Sequence, residues 1–301
     1  MTVAVFGSIN MDLVVRASHL PVPGQTIAGQ DFYTASGGKG ANQAVACARL
    51  GVPTQMIGCV GRDVFGETLR QALSGYGVDA TQVWAVVGPS GVALITVDDQ
   101  AENTIVIVAG ANGELKADPR ILDAVFTRSK ILLLQMEVPL AETIGAATQA
   151  HARGLTVILD PAPAQPLPAE LYPLVDVLTP NESEAEQLVG FPLRNKESIA
   201  LAAQTLLDRG VPEVVIKLGA NGVFWANRDS SQFIAAFQVK AVDTVAAGDA
   251  FNGGLAAGLA ENLPLEMAIR LGMATAAISV TRPGAQPSMP DRTEVNGLLE
   301  N

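Results

Sequence analysis

The sequence predicts an α/β fold, a mostly parallel central sheet covered by helices on both sides, with a small β-sheet lid. Three observations predict it. From about residue 117 onward, apolar stretches of strand length alternate with stretches of helical period. The strand stretches Ile131-Leu132-Leu133-Leu134 and Val157-Ile158-Leu159 are apolar on both faces, as befits strands buried between two helical layers. The chain has 301 residues, 49% of them hydrophobic, enough to bury a large core as one big domain or one domain with a small appendage.

Residues 2–9 form a short apolar run into Gly7-Ser8-Ile9-Asn10, a buried strand whose C-terminal end falls at Asn10. Asn10 and Asp12 stand two apart, so an extended chain points both the same way. Residues 13–36 hold Pro21, Pro23, Gly24 and Gly29 among alternating apolar residues and read as irregular short strands. Gly37-Gly38-Lys39-Gly40-Ala41-Asn42-Gln43-Ala44 then passes into a helix through Leu50, stopped by Gly51 and Pro53. Lys39 and Asn42, three apart, share one face of it. A strand over 54–60 and a helix over 65–76 follow. Residues 91–98 and 103–108 read as a hairpin around the polar turn Asp99-Gln100-Ala101-Glu102. Like 13–36 it lacks helical period and follows a strand end, so about 11–37 and 89–109 are expected to build the lid of a single 1–301 domain. The alternation then runs through helix 119–127, strand 130–135, helix 139–152, strand 155–159, strand 175–178, a helix from 181, helix 196–209 and strand 213–218. A strand over 233–240 leads to an Ala/Gly-rich helix over 250–260.

The formal net charge of -11 excludes a nucleic-acid backbone as partner. No run approaches the ~18 apolar residues of a membrane span, and the start lacks the basic region, apolar core and cleavage site of a leader. The expected location is the cytoplasm. Cys47 and Cys59 lie in apolar surroundings, without metal-site spacing, and read as buried reduced thiols. Gly37-Gly38-Lys39-Gly40 lacks both the spaced upstream glycine and the Ser or Thr after lysine of a Walker A loop, which rejects a generic nucleotide P-loop.

The chemistry concentrates in Asp243-Thr244-Val245-Ala246-Ala247-Gly248-Asp249. A helix starting near Ala246 leaves its first N–H groups without partners, an anion site made of main chain. Asp249 falls in its first turn. Phosphoryl transfer to an alcohol needs a base for the hydroxyl proton and a fixed positive field for the migrating group; a carboxylate beside a helix N-terminus supplies both. The alternative is an acid that only complements the helix dipole. Asn10, Asp12, Glu137, Asp160, Asn181, Glu184 and Asp243 also stand at strand ends. Each alone reads as a turn or cap residue. Together they mark the sheet edge where open α/β folds bind ligands. Asp12 could accept two neighbouring hydroxyls while Lys39 and Asn42 donate to others, a polyol site.

The 37–44 and 243–249 stretches resemble the two signatures of the ribokinase (PfkB-like carbohydrate kinase) family, and the motifs between them follow its order across essentially the whole chain. The resemblance implies a ribokinase-like three-layer α/β/α fold and transfer of the γ-phosphoryl of Mg-ATP to O5 of D-ribose. It implies Asp249 as base, with the N–H groups of Ala246, Ala247 and Gly248 as anion hole. Asn10, Asp12, Gly38, Lys39, Asn42 and Glu137 match the positions that hold the pentose. Asn181 and Glu184 match an element acting on Mg2+ and phosphate; Lys217, Gly219 and Gly248 fall beside the nucleotide phosphates and Met273 near the adenine. Asp243, the carbonyls of Val245, Ser279, Arg282 and Gly284, and the hydroxyl of Ser288 match a loop that encloses K+. A homodimer through the lids is implied as well. Two positions depart from the family. Ala246 replaces a frequent glycine, a methyl expected to fit a right-handed helix start, and Met273 stands where Asn is expected. A kinase for fructose or a deoxyribose, and a non-catalytic sugar-binding regulator, are the alternatives; a nucleoside kinase is disfavoured because the lid offers only Phe32 and Tyr33 to a base.

Overall fold

The structure, a computed structural model, describes residues 2–100 and 102–300. Ala101, part of the turn read at 99–102, lies outside the described residues. In chain order the elements are β1 (Thr2–Phe6), β2 (Asn10–Arg16), β3 (Asp31–Gly37), α1 (Lys39–Arg49), β4 (Thr54–Gly61), α2 (Val64–Gly75), β5 (Asp79–Val86), β6 (Gly91–Val97) and β7 (Asn103–Val108). Then come α3 (Pro119–Phe126), β8 (Ser129–Leu134), α4 (Leu140–Ala152), β9 (Thr156–Leu159), β10 (Val177–Leu178), α5 (Glu182–Val189), α6 (Lys196–Asp208) and β11 (Glu213–Lys217). The chain closes with β12 (Val223–Ala226), β13 (Ser231–Ile234), α7 (Ala247–Ala260), α8 (Leu265–Ser279) and α9 (Arg292–Leu299).

Nine strands form one sheet in the order β13-β12-β11-β10-β9-β8-β1-β4-β5, parallel except for the β11-β12-β13 meander. Strand alternation divides its side chains cleanly. Val3, Val5, Ile131 and Leu133 face a core shared with α1, α2, α7, α8 and α9, while Ala4, Phe6, Leu132 and Leu134 face a second core under α3 to α6. Three layers, α/β/α, follow directly from strands that are apolar on both sides. A second sheet, β3-β2-β6-β7, is built from the two excursions that lack helical period. Parallel β2 and β6 sit at its centre, and β3 and β7 pair antiparallel outside them.

Local departures from the sequence reading have physical causes. The strand expected over 233–240 ends at Ile234, because β12 offers only four residues to pair with; the apolar residues beyond it line a cleft instead. β5 is an edge strand with mixed polarity, so its pattern carries little period.

The approach of α7 to α8 rests on small residues. A Cβ on Gly254 would stand 2.7 Å from the Gly272 Cα and 2.6 Å from the Thr275 hydroxyl, closer than packed atoms come. Gly254→Val is therefore expected to lower stability by about 3 kcal/mol, the upper range for overpacking a core. Chemical denaturation checks it; an unchanged midpoint would show that the two helices part freely.

Candidate active site

The C-terminal edge of the large sheet opens into a cleft of about 780 Å³. Its walls bring together Lys39 from α1, Asp160 after β9, Asn181 and Glu184 from the start of α5, Lys217 at the end of β11 and Gly219 after it, Gly248 and Asp249 from α7, and Met273 from α8. These are the ends and starts that parallel topology gathers on one edge.

At the centre is Asp249, in the first turn of α7 and almost wholly buried. Its Oδ2 accepts from Asn42 Nδ2 at 3.0 Å and its Oδ1 from Gln43 Nε2 at 3.1 Å. Burial pushes its carboxyl up to about 6; Asp160 pushes the same way, while Lys39 and the two amides pull it down. At neutral pH it is thus an ionised carboxylate whose proton affinity suits general-base work. Asp12, from β2, is pushed up to about 7, first by burial and then by the charges of Glu137 and Asp249. Those two Coulombic partners put Asp12 in the same electrostatic enclosure as Asp249. Burial works against the Lys39 ammonium, but Asp249, Asp160, Glu137 and Glu184 surround it and hold its pKa above the usual lysine value.

Gly38 makes this crowding possible. It caps α1 at φ 89°, in the left-handed region, and a Cβ there would stand 2.7 Å from the Asn10 nitrogen. α1 can therefore start against the β1–β2 connection, with Lys39 N donating to Glu137 Oε2 at 3.2 Å and Ser8 Oγ donating to the same oxygen at 2.5 Å. Asn10 is oriented by Asn112, whose Nδ2 donates to Asn10 Oδ1 at 2.7 Å while its Oδ1 accepts from Ile9 N at 2.8 Å. The side-chain oxygen of Asn42 is buried without a hydrogen-bond partner.

The model of the pfkB family carbohydrate kinase matches residues 1–292. The chain belongs to the PfkB family. It is 45% identical to a ribokinase of Haemophilus influenzae, over 100% of this chain and 99% of that one. It is 36% identical to a deoxyribokinase of Salmonella typhi, with 99% of each covered. The solved structure of an Arabidopsis thaliana ribokinase complexed with ribose and ATP superposes with a TM-score of 0.93 at 35% identity, covering 99% of this chain and 98% of that one. The fold is the ribokinase fold, and the chain is an ATP-dependent sugar kinase of the PfkB family.

Within this PfkB chain the α7 start differs from the sequence expectation. Ala246 is not the first residue of a right-handed turn: it lies at φ 57°, left-handed, as the N-cap. Its methyl is strained there, at about 1–2 kcal/mol, which explains why glycine suits this position. The Ala247 N–H donates to the Thr244 carbonyl at 3.2 Å, closing the tight turn that Ala246 reverses. Gly248 and Asp249, early in the helix with no side-chain cap, present N–H groups that the helix itself does not use.

At the α5 start, Asn181 and Glu184 form a reciprocal capping box: Glu184 takes the Asn181 N–H and Nδ2 at 2.8 Å each, and Asn181 Oδ1 takes the Glu184 N–H. Burial raises the Glu184 carboxyl and Asp160 adds to it, against the pull of Lys217. Lys217 is tied to Asp160 at 2.8 Å. The 243–245 and 279–288 stretches meet where Asp243 accepts from the N–H groups of Val245 (3.0 Å) and Gly284 (2.8 Å), and the Val280 carbonyl accepts from Val242 and Asp243. Ser288 Oγ donates to the Ala285 carbonyl and the Arg282 N–H to the Ser279 carbonyl. The Ser279 hydroxyl and Gln286 Oε1 are buried beside these loops without hydrogen-bond partners.

Sequence reasoning missed Gln43, Gln135, Asn112 and Ser8 as members of the site. Gln43 sits inside a quoted signature, but its spacing gives no sign of what it touches. Asn112 lies in a short 3-10 turn with no periodic signal.

Proposed function

We propose that the protein phosphorylates D-ribose at O5, with ATP as donor and D-ribose 5-phosphate as product. The observation that carries this is Asp249 held between Asn42 and Gln43 at the start of α7, within the electrostatic reach of Asp12 and Lys39. Ribokinase relatives, one of them solved with ribose and ATP, support the substrate pair.

In this reading Asn10, Asp12, Lys39, Asn42 and Glu137 hold the ring hydroxyls, next to Gly38. Asp249 takes the proton of the primary hydroxyl as the oxygen attacks the γ-phosphorus, whose bond to the bridging oxygen of ATP breaks to release ADP. The N–H groups of Gly248 and Asp249 at the α7 start, next to Ala246, receive the migrating phosphoryl group, the Ala247 N–H expected to join them being spent on the Thr244 carbonyl, and Lys217 adds positive charge beside them. Gly219 borders the phosphates and Met273 the base. Closure of the four-stranded sheet over the sugar as a lid excludes water, so that ATP is not hydrolysed.

Glu184 and Asn181, oxygen donors at the start of α5, would hold the Mg2+ that comes with ATP, and the ion would offset the charge of the phosphates. K+ fits the oxygen-rich loops: Asp243, the carbonyls of Val245, Ser279, Arg282 and Gly284, and the Ser288 hydroxyl, beside the unpartnered oxygens of Ser279 and Gln286.

We also place the protein in the cytoplasm as a homodimer joined through its lids. Edge strand β7 is exposed along its whole length, with Ile105 and Val106 more than half exposed on opposite faces and Phe32 60% exposed on β3. Equilibrium sedimentation showing only monomer at micromolar concentration would reject the dimer. The deoxyribokinase relative favours one rival, a kinase for a deoxypentose. Turnover of a sugar panel with ATP, with and without K+, separates the readings: the highest kcat/KM belongs to D-ribose, and phosphorus NMR places the product phosphate on O5. Preference for deoxyribose or fructose, or no turnover with any sugar, would overturn the proposal.

A further inference from the structure

Gln43 is fully buried on α1, and its side-chain bonds reach three other parts of the chain. Its Nε2 donates to Asp249 Oδ1 and to Asp160 Oδ2, each at 3.1 Å, and its Oε1 accepts from Gln135 Nε2 at 2.7 Å. Asp160 in turn accepts from Lys217 Nζ on its other oxygen, and that Nζ lies 3.3 Å from where a Cβ on Gly248 would stand. An unbroken chain of bonds therefore runs from the carboxylate on the sugar side to the lysine beside the α7 start on the phosphate side.

The direction of the Gln43 amide is forced. Turned over, it would set its oxygen against two carboxylates and its NH2 against that of Gln135. A glutamine that only filled the core would be satisfied by any acceptors; here both acceptors are carboxylates, and one is Asp249. Two buried anions on one amide repel each other, and each is held in place by the N–H it receives.

We propose that Gln43 is a positioning residue for phosphoryl transfer, which keeps Asp249 aimed and ionised and ties it to the Asp160–Lys217 pair at the phosphate end of the cleft. This rests on the reading of Asp249 as the base. The groups facing Asp249 are Lys39 and Asn42 from α1, Asp12 from β2 and Asp160 after β9, with Lys217 of β11 behind Asp160. Asp12, Lys39 and Asn42 face the proposed sugar pocket and change partners as substrate enters. Gln43 is sealed from it, so its grip on Asp249 persists through turnover.

The test is Gln43→Met, which keeps the volume and removes both donors. Saturating sugar and ATP engage Asp12, so the acid limb of kcat against pH then reports Asp249. That limb is expected to move up by about one pH unit, and kcat at neutral pH to fall about 10- to 100-fold, as loss of a hydrogen bond to a charged group implies. KM for the sugar should stay within about threefold. Gln135→Leu, which frees the Gln43 amide, should move the limb the same way by less, and it carries the test if Gln43→Met does not fold. In an Asp249→Asn background, Gln43→Met should cost nothing further. A limb that stays in place, or a loss equal in both backgrounds, would reduce Gln43 to a core amide and overturn the proposal. Full activity in Asp249→Asn alone would instead refute the base assignment on which it stands.

Discussion

Asp249→Asn is expected to lower kcat about 10³-fold, within the range a general base contributes, while sugar affinity stays within about threefold. The asparagine keeps the shape of the side chain and can still accept from Asn42 or Gln43. It cannot take a proton. Because Asp249 is pushed up by burial to about 6, the wild-type base is mostly ionised at pH 7.5 and its lost charge is the main change the variant brings. Steady-state kinetics with calorimetric titration of the sugar separates the two quantities. A variant that turned over within tenfold of the wild type would show that the hydroxyl loses its proton without this carboxylate.

The second large effect is at Asp12. Asp12→Ala is expected to lower kcat/KM for the sugar by about 10²- to 10³-fold, mostly through KM, because hydroxyls that donate no longer find a charged acceptor and each such bond contributes about 1.5–3 kcal/mol. The sign of its pH dependence follows from the empty site, where burial, Glu137 and Asp249 push the Asp12 carboxyl up to about 7. The form that accepts two hydroxyls is the ionised one. Sugar affinity should therefore be full above pH 7 and weaken as pH falls through it, approaching tenfold per unit. Asp12→Ala should bind weakly with no such slope. Affinity independent of pH between 5.5 and 8.5 in the wild type would show that Asp12 does not hold the sugar through its charge.

Much of this site is legible in the sequence. Strands apolar on both faces at 131–134 and 157–159 dictate helices on each side, and that topology carries polar strand ends to one edge, so Asp160, Asn181 and Glu184 converge. Asp249 in a first helical turn could be read because an Ala/Gly-rich run of helical character follows it. The left-handed Ala246 could not, since alanine gives no local sign of a positive φ; only the turn closed by Thr244 and Ala247 requires it. Gln43 escaped for a different reason. Its importance lies in Gln135, Asp160 and Asp249, at sequence separations of 92, 117 and 206, and nothing local encodes such partners. The strand expected over 233–240 failed because an apolar run serves a cleft wall as well as a ladder, and Phe237 and Val239 went to the wall.

The central claim is that the Asp249 carboxylate receives the proton of the acceptor hydroxyl. It is tested most directly by the structure of the complex with D-ribose and a non-hydrolysable ATP analogue. The account predicts the ribose O5 about 3 Å from an Asp249 carboxylate oxygen, with the γ-phosphorus on its far side and the ring hydroxyls on Asp12, Lys39 and Asn42. Ribose bound with O5 beyond about 5 Å of Asp249, and no water linking the two, would contradict it.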